Sequence, residues 1–242
     1  GCRAYRNCAA IPDHFDHALA LFREAVAQDP DFALAYAAIA DVYNLLGAYD
    51  YGRYPPATAR DSAREAAMRA VELGPELAEA QTALATTRFF YDWDFERAEQ
   101  GYLHAIDLDG EYAHAHHYLG LLYVAQGRFE EAESIYNTVT AQWKDYWPGY
   151  NNLGYVHLQQ GQYEAAIRLF RQAIDAAPRH LYLRNNLAVM FYQMGRLDEA
   201  RTIYRWLIEN APSAGAYSNL GTLYFEEGRY ADAVRMYEQA LK

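Results

Sequence analysis

Residues 147–180 read WPGYNNLGYVHLQQGQYEAAIRLFRQAIDAAPRH, and the order of residues in this stretch decides the fold. Tyr150, Leu153 and Gly154 lead, Gly161 follows, then come Tyr163, Ala166, Phe170 and Ala173, and Pro178 closes the segment. Apolar residues three and four apart on either side of Gly161 form the buried stripes of two amphipathic helices. The glycine falls where that periodicity breaks, and glycine most readily takes the left-handed conformation that follows a helix C-terminus. Proline cannot continue the hydrogen-bond ladder, so the second helix stops at Pro178. The stretch predicts a helix, a tight turn and a second helix.

Outward from this segment the same order recurs about every 34 residues. Leu119-Gly120, Leu153-Gly154, Leu187-Ala188 and Leu220-Gly221 occupy equivalent points. Gly47, Gly127, Gly161, Gly195 and Gly228 each predict the end of a first helix, here termed helix A. Ala18, Ala63, Ala98, Ala132, Ala166, Ala200 and Ala233 recur in the second helix, helix B, and Pro30, Pro75, Pro178 and Pro212 stop it. A glycine inside a helix costs about 1 kcal/mol relative to alanine, so Gly120, Gly154 and Gly221 imply a neighbouring helix that approaches closely. Counting the landmarks gives about seven units, near 1–32, 33–77, 78–112, 113–146, 147–180, 181–213 and 214–242. The second carries roughly eleven extra residues around Ala48 to Pro56, and the third has one extra within Phe89-Phe90-Tyr91-Asp92-Trp93-Asp94-Phe95. A repeat stack needs polar caps, and neither end supplies one. The sequence is therefore expected to be a portion of a longer protein, with bare ends through which two copies could pair.

In order and spacing the units resemble the tetratricopeptide repeat, from about residue 15 to the end. The resemblance implies an all-α protein, a right-handed superhelix (α-solenoid) of helix-turn-helix units whose A helices line a concave surface. It also implies a scaffold that binds other proteins.

Composition is consistent with this. The chain is 52% hydrophobic, contains 23 tyrosines and carries a net charge of −11. So acidic a chain lacks the cationic surface that displaces counterions from phosphates, which argues against a sequence-independent grip on nucleic acid. Lys144 and Lys242 are the lysines, and nearly all other positive charge is arginine. The acidic residues fall mostly on B helices and turns, the pattern of a solvated outer face. No run of 18 apolar residues and no signal peptide is present, so nothing predicts membrane insertion. The compartment stays open between cytoplasm and periplasm. Cys2 and Cys8, if they share one helix, are separated by a rise of ~9 Å and ~240° of rotation, which no intrahelical disulfide bridges.

The sequence holds no phosphate loop, dinucleotide fingerprint or nucleophile elbow. Ser62, Ser134, Ser213 and Ser218 lack an evident histidine and carboxylate arrangement, so neither catalysis nor a cofactor is expected. His114, His116 and His117, with His104 in the preceding helix, have spacings that can ligate zinc. No cysteine or carboxylate stands at ligand spacing beside them, so no metal site is expected.

The strongest functional signal lies in the last three A helices. Asn151-Asn152, Asn185-Asn186 and Ser218-Asn219 hold matching places, with Tyr155, Leu158, Tyr192 and Phe225 one or two turns on. A carboxamide offers both donor and acceptor, so it can bond the backbone of an extended peptide whatever its sequence. It can equally bond the next helix. Asn152, Asn186 and Asn219 resemble the asparagine ladder of the peptide-guiding repeats of O-linked N-acetylglucosamine transferases, which implies a peptide site at Asn151, Asn152, Tyr155, Asn185, Asn186, Tyr192, Asn219 and Phe225. The sequence contains no sugar-transferase domain. Nor does it reproduce the basic carboxylate clamp of chaperone-binding repeats, because the helix A positions of units four to six are almost free of positive charge, Arg184 being the exception.

The segments Ala25 to Tyr36, Tyr91 to Glu99 and Ala113 to Tyr118 resemble the repeat regions of bacterial multidomain signalling proteins, where such arrays are coupled to winged-helix, adenylate cyclase or serine/threonine kinase domains. That implies a regulatory arm. The insertion with Tyr49, Tyr51, Arg53 and Tyr54 is long for a loop within a compact repeat and is a second candidate for partner contact. Phe89, Phe90, Tyr91, Trp93 and Phe95 are expected to be core. Arg88 and His157 stand where the repeat places an aromatic ring. A competing reading makes the array a small-ligand sensor, with a pocket at Phe89, Phe90, His114 and His117.

Overall fold

The computed structural model describes residues 10–48 and 56–242; Cys2, Cys8 and the loop residues Tyr49, Tyr51, Arg53 and Tyr54 lie outside the described residues. Among the described residues the chain is all-helical. The helices are α1 (Ala10–Gln28), α2 (Ala33–Ala48), α3 (Pro56–Leu73), α4 (Ala78–Thr87), α5 (Phe95–Leu108), α6 (Ala113–Ala125) and α7 (Phe129–Gln142), followed by α8 (Trp147–Gln159), α9 (Tyr163–Ala176), α10 (Leu181–Gln193), α11 (Leu197–Asn210), α12 (Ala214–Glu226) and α13 (Tyr230–Ala240). The chain divides into two compact units, residues 8–135 and 136–242, with the division inside α7.

In the first unit α2 packs on α3, α4 on α5, and α2 and α6 on either side of α4. Its core is rich in alanine, with Ala37, Ala40, Ala63, Ala67, Ala70, Ala80 and Ala83 packed around Leu19, Val42, Tyr43 and Leu46. In the second unit α8 pairs with α9, α10 with α11 and α12 with α13, around Phe170, Leu187, Met190, Phe191, Tyr204, Leu220 and Leu223. Ala63, Ala98, Ala132, Ala166, Ala200 and Ala233 are all essentially inaccessible, whereas Ala18, the first of the series, is half-buried on α1.

The glycine signals resolve into two kinds. Gly127, Gly161, Gly195 and Gly228 have φ of 72°, 75°, 72° and 74°, the left-handed turn expected of them. Gly47 differs, because α2 runs through it to Ala48. Gly154 and Gly221 provide close approach: a Cβ on Gly221 would stand 2.8 Å from the Tyr237 ring, and one on Gly154 3.3 Å from Phe170.

The extra residue of the third unit is absorbed as a π-helical turn over Arg88–Asp92 that continues α4. An inserted residue in a helix A can be housed by widening one turn, which is how single π-bulges arise. The turn ends on Trp93 at φ 55°, and Asp94 then caps α5 by accepting from the Arg97 N–H at 3.2 Å. Of the five aromatic residues here, Phe89 is buried, with its ring tilted against Phe90 at 4.9 Å and edge-on to Phe95 at 5.9 Å. Trp93 is 74% exposed, contrary to the core expectation, because the left-handed residue turns outward where the two helices part.

Candidate functional site

The three asparagine-bearing A helices of the second unit are joined by their amides. Asn186 donates Nδ2–H to Asn151 Oδ1 at 2.9 Å, and Asn219 donates to Asn185 Oδ1 at 2.9 Å. Asn151 in turn donates to Asn152 Oδ1 at 3.0 Å, and Asn152 to the Tyr136 hydroxyl at 3.0 Å. Asn151 is buried, while Asn152, Asn185, Asn186 and Asn219 are half-buried. A carboxamide has two donors and two acceptor lone pairs, and one inter-helix bond leaves part of that capacity unused. Among the described residues, Asn186 Oδ1, Asn219 Oδ1 and Asn185 Nδ2 make no hydrogen bond and are not enclosed. The structure therefore bonds the asparagines to the neighbouring helix and leaves one polar edge of the row open.

Beside this row Tyr155 and Phe225 are 43% and 56% exposed. The Phe225 ring meets Tyr230 edge-on at 5.4 Å. Tyr192 donates its hydroxyl to Glu226, a bond that pushes the phenol up to about 12. Arg184 is taken up inside the fold, with its guanidinium 4.6 Å from the Trp206 ring centre and donating to the Pro178 carbonyl.

The turns carry a second repeated arrangement that the sequence reading missed. In Gly127-Arg128, Gly195-Arg196 and Gly228-Arg229, the left-handed glycine folds the chain so that the arginine N–H reaches the carbonyl five residues back, on Tyr123, Phe191 and Tyr224, each at 2.9 Å. That backbone bond lays the guanidinium over the same residue's ring, at 4.1, 4.7 and 4.1 Å from its centre. Each arginine also pairs with an acid three residues on, Glu131, Glu199 or Asp232. Arg128 reaches Glu99 of α5 as well, and the Glu99 carboxyl is held below the usual range chiefly by that bond. At the equivalent turn of the 147–180 unit the backbone bond persists, with Gln162 N–H to His157 O at 2.8 Å, but the side chains are His157 and Gln162, joined through Nδ1 and Oε1 at 2.5 Å. His157 thus bonds an amide rather than a carboxylate, and the visible signal was an aromatic residue five before each arginine.

In the first unit the A-helix joint is of another kind. Asn44 is fully buried, donates to the Ala83 carbonyl at 3.2 Å and accepts from the Thr87 hydroxyl at 3.0 Å. One turn earlier Asp41 has an enclosed Oδ1 with no hydrogen bond, and burial, with Glu79 adding to it, pushes its carboxyl up to about 7. The histidines lie on α6. Burial pushes His117 down to about 4, with His114 adding to it, and His116 meets the Gly110 carbonyl at 3.0 Å. Among the described residues no group of three or more metal-ligating side chains comes together. Phe90 packs edge-on against Tyr118 at 6.0 Å, and His117 meets Tyr118 at 5.1 Å, so two of the rings proposed for a ligand pocket share Tyr118 as a neighbour. A separate open groove of about 1110 Å³ runs between α1, α2 and α3, lined by Arg23, Tyr36, Tyr43, Arg64, Met68 and Arg69.

Three tetratricopeptide repeat family models match the chain, over residues 111–179, 151–215 and 213–242. With the helix pairs described above, they make this chain a tetratricopeptide repeat protein, an α-solenoid by fold. Among the curated proteins none matches the sequence. The structure is similar to a chain in the crystal structure of the APC/C hetero-tetramer Cut9-Hcn1, with TM-score 0.71 at 16% identity over 94% of this chain and 43% of that one. It is also similar to a tetratricopeptide repeat protein from Parabacteroides merdae, with TM-score 0.63 at 17% identity over 96% and 87%. YrrB, described as a repeat protein with an unusual peptide-binding site, gives TM-score 0.52 at 24% identity over 74% and 92%. At these identities the likeness carries the fold. Among the described residues no helix is long and apolar enough to cross a membrane.

Proposed function

We propose that this chain is a protein-interaction scaffold, without catalytic machinery of its own, whose A helices α8, α10 and α12 hold an extended segment of a partner protein. The observation that carries this is the open polar edge of the asparagine row, with unused atoms on Asn185, Asn186 and Asn219. Packed helices stand ~8–10 Å apart and an extended chain advances ~3.3 Å per residue, so one amide per repeat meets about every third peptide residue. Tyr155 and Phe225 supply exposed aromatic surface at its sides, and such residues dominate binding energy at interfaces. With Arg184 committed to Trp206 and Pro178, the face offers no cluster of cations, so the segment is read by backbone and apolar side chains rather than by a terminal carboxylate. The likeness to YrrB is in keeping with a peptide site, and the resemblance to bacterial signalling proteins supports reading the array as a regulatory arm of a larger protein.

The test is a comparison of three baits, namely wild type, Asn186→Ala with Asn219→Ala, and Tyr155→Ala with Phe225→Ala, followed by affinity measurement with peptides from the captured protein. The aromatic pair bears no inter-helix hydrogen bond, so its loss leaves the stack intact. At least a tenfold loss of peptide affinity in both variants is expected. Equal affinity for all three baits would place recognition elsewhere.

A further inference from the structure

We propose that the cleft between α3 and the π-helical end of α4 receives a glutamate side chain of a partner protein, its carboxylate on the Arg88 guanidinium and its methylenes against Met68, Val71 and Leu84. The site does not depend on the asparagine row.

The cleft follows from register. A short turn joins α3 to α4, and the two helices pack on one another as an antiparallel pair. Leu84, Arg88 and Asp92 recur every four residues along α4 and its π-helical turn, as Arg64, Met68 and Glu72 do along α3, so each set forms one face. The ion pair between Arg64 and Asp92 fixes one level, which leaves Met68 opposite Arg88 and Glu72 opposite Leu84. An open cleft of about 380 Å³ lies between the faces, lined by these residues together with Val71.

In this cleft Arg88 has no partner. It is half-buried, yet its side chain makes no ion pair, hydrogen bond or ring contact among the described residues. The other half-buried arginines are engaged, among them Arg69 with Glu72, Arg128 with Glu99 and Arg201 with Glu227. The acids within reach of Arg88 are already taken, Asp92 by Arg64 and Glu72 by Arg69, so Arg88 is the surplus charge. Directly opposite, α3 offers Met68, 58% exposed, where a carboxylate would have completed the row. Three other units carry a buried ring at the matching place, Tyr123, Phe191 or Tyr224, so the cation is particular to this turn.

A guanidinium presents its N–H groups as a planar fork that holds a carboxylate through two parallel bonds. Methionine is unbranched and adapts to an apolar stem laid against it. One half-exposed ion pair and a two-methylene stem hold a free acid only weakly, so the carboxylate comes on a chain that makes further contacts.

The test is carbon NMR of the full chain labelled at the methionine methyls, with Met68 reporting on the cleft and Met190, 1% exposed, as internal reference. N-acetyl-glutamate methylamide at millimolar concentration should move the Met68 signal saturably, and N-acetyl-glutamine methylamide should leave it in place. Arg88→Gln should weaken the glutamate probe about fivefold without changing the melting curve, and Arg88→Lys, which keeps the charge but loses the fork, should fall between. Arg64→Gln frees Asp92 to take Arg88, and should weaken the probe about threefold although Arg88 is untouched. Propionate, the same stem without the peptide groups, should bind about threefold more weakly than the glutamate probe. A Met68 signal that ignores the glutamate probe, follows glutamine equally, or responds undiminished in Arg88→Gln overturns the proposal. Equal binding of propionate would assign the cleft to a free acid and overturn its protein source.

Discussion

Asparagine joins the A helices in both halves of the chain, in two different settings. In α8, α10 and α12 the amides bond one another while half-buried, and each inter-helix pair keeps an unused polar edge. In α2 the single Asn44 is fully buried, and its donor and acceptor are spent on Ala83 and Thr87. One residue type is therefore an open rung in one place and an internal strut in the other, and burial alone separates the two. The contrast extends to the whole of each half. The matched repeat models lie within residues 111–242, whereas the earlier residues hold the insertion, the π-helical turn and the unpaired Asp41.

The same isosteric substitution made in both settings should separate them. Asn44→Asp turns a buried donor into a carboxylate facing the Ala83 carbonyl, and an uncompensated buried charge costs about 3–5 kcal/mol. Urea unfolding followed by circular dichroism should register that loss in the first half. Asn186→Asp forfeits one half-solvated bond to Asn151, for which about 1 kcal/mol is expected. Equal losses at the two positions would mean that the asparagine row is as structural as Asn44, and the peptide reading would lose its main support.

Asp41 gives the first half a pH dependence of its own. Its carboxyl titrates near 7 in the folded chain and near 4 when unfolded, so the folded state holds the proton more tightly between those values. Stability should therefore fall as pH rises from about 4 to about 7 and level off above that, with a ceiling of roughly 4 kcal/mol. Asp41 as a residue is only partly buried, so the observed change should lie below the ceiling. His117 acts in the opposite direction: held neutral at about 4 by burial, it costs stability as pH falls from 6.5. Melting of wild type and Asp41→Asn at pH 5 and pH 8 isolates the aspartate, since the substitution should remove the alkaline loss and leave the acid loss in place.

How much of this was legible beforehand depended on what each residue could alternatively do. The turn glycines and buried alanines were readable because a left-handed φ and a close helix contact admit few other residues. Gly47 lies one residue before the last described residue of α2, so it marked the region of the helix end without being the turn residue itself. The extra residue near Phe90 was visible as a count, but a bulge, a loop and a π-helical turn all absorb one residue. An amide accepts and donates alike, so sequence alone could not apportion the asparagines between the next helix and a ligand. Asp41 stands in an otherwise apolar helix and reads as an exposed charge until Asn44 draws α4 against it.

The smallest expected effect tests whether the 147–180 unit has lost a device that three other turns retain. Tyr123, Phe191 and Tyr224 each receive the arginine that follows the glycine, and each arginine also pairs with an acid three residues later. At the fourth turn all three positions differ together, as His157, Gln162 and Ala165, although the backbone bond that brings them into register is intact. If that bond alone aligns the groups, then His157→Tyr with Gln162→Arg and Ala165→Glu should recreate the stack without moving the chain. A cation over an aromatic ring at an exposed site contributes about 0.5–1 kcal/mol. His157→Tyr and Gln162→Arg made together should exceed the sum of the single changes by about that amount, since contacting residues are not additive. A purely additive double variant would mean that the glycine turn does not set the side-chain geometry, and that the arginines of the other three turns are held chiefly by their carboxylates.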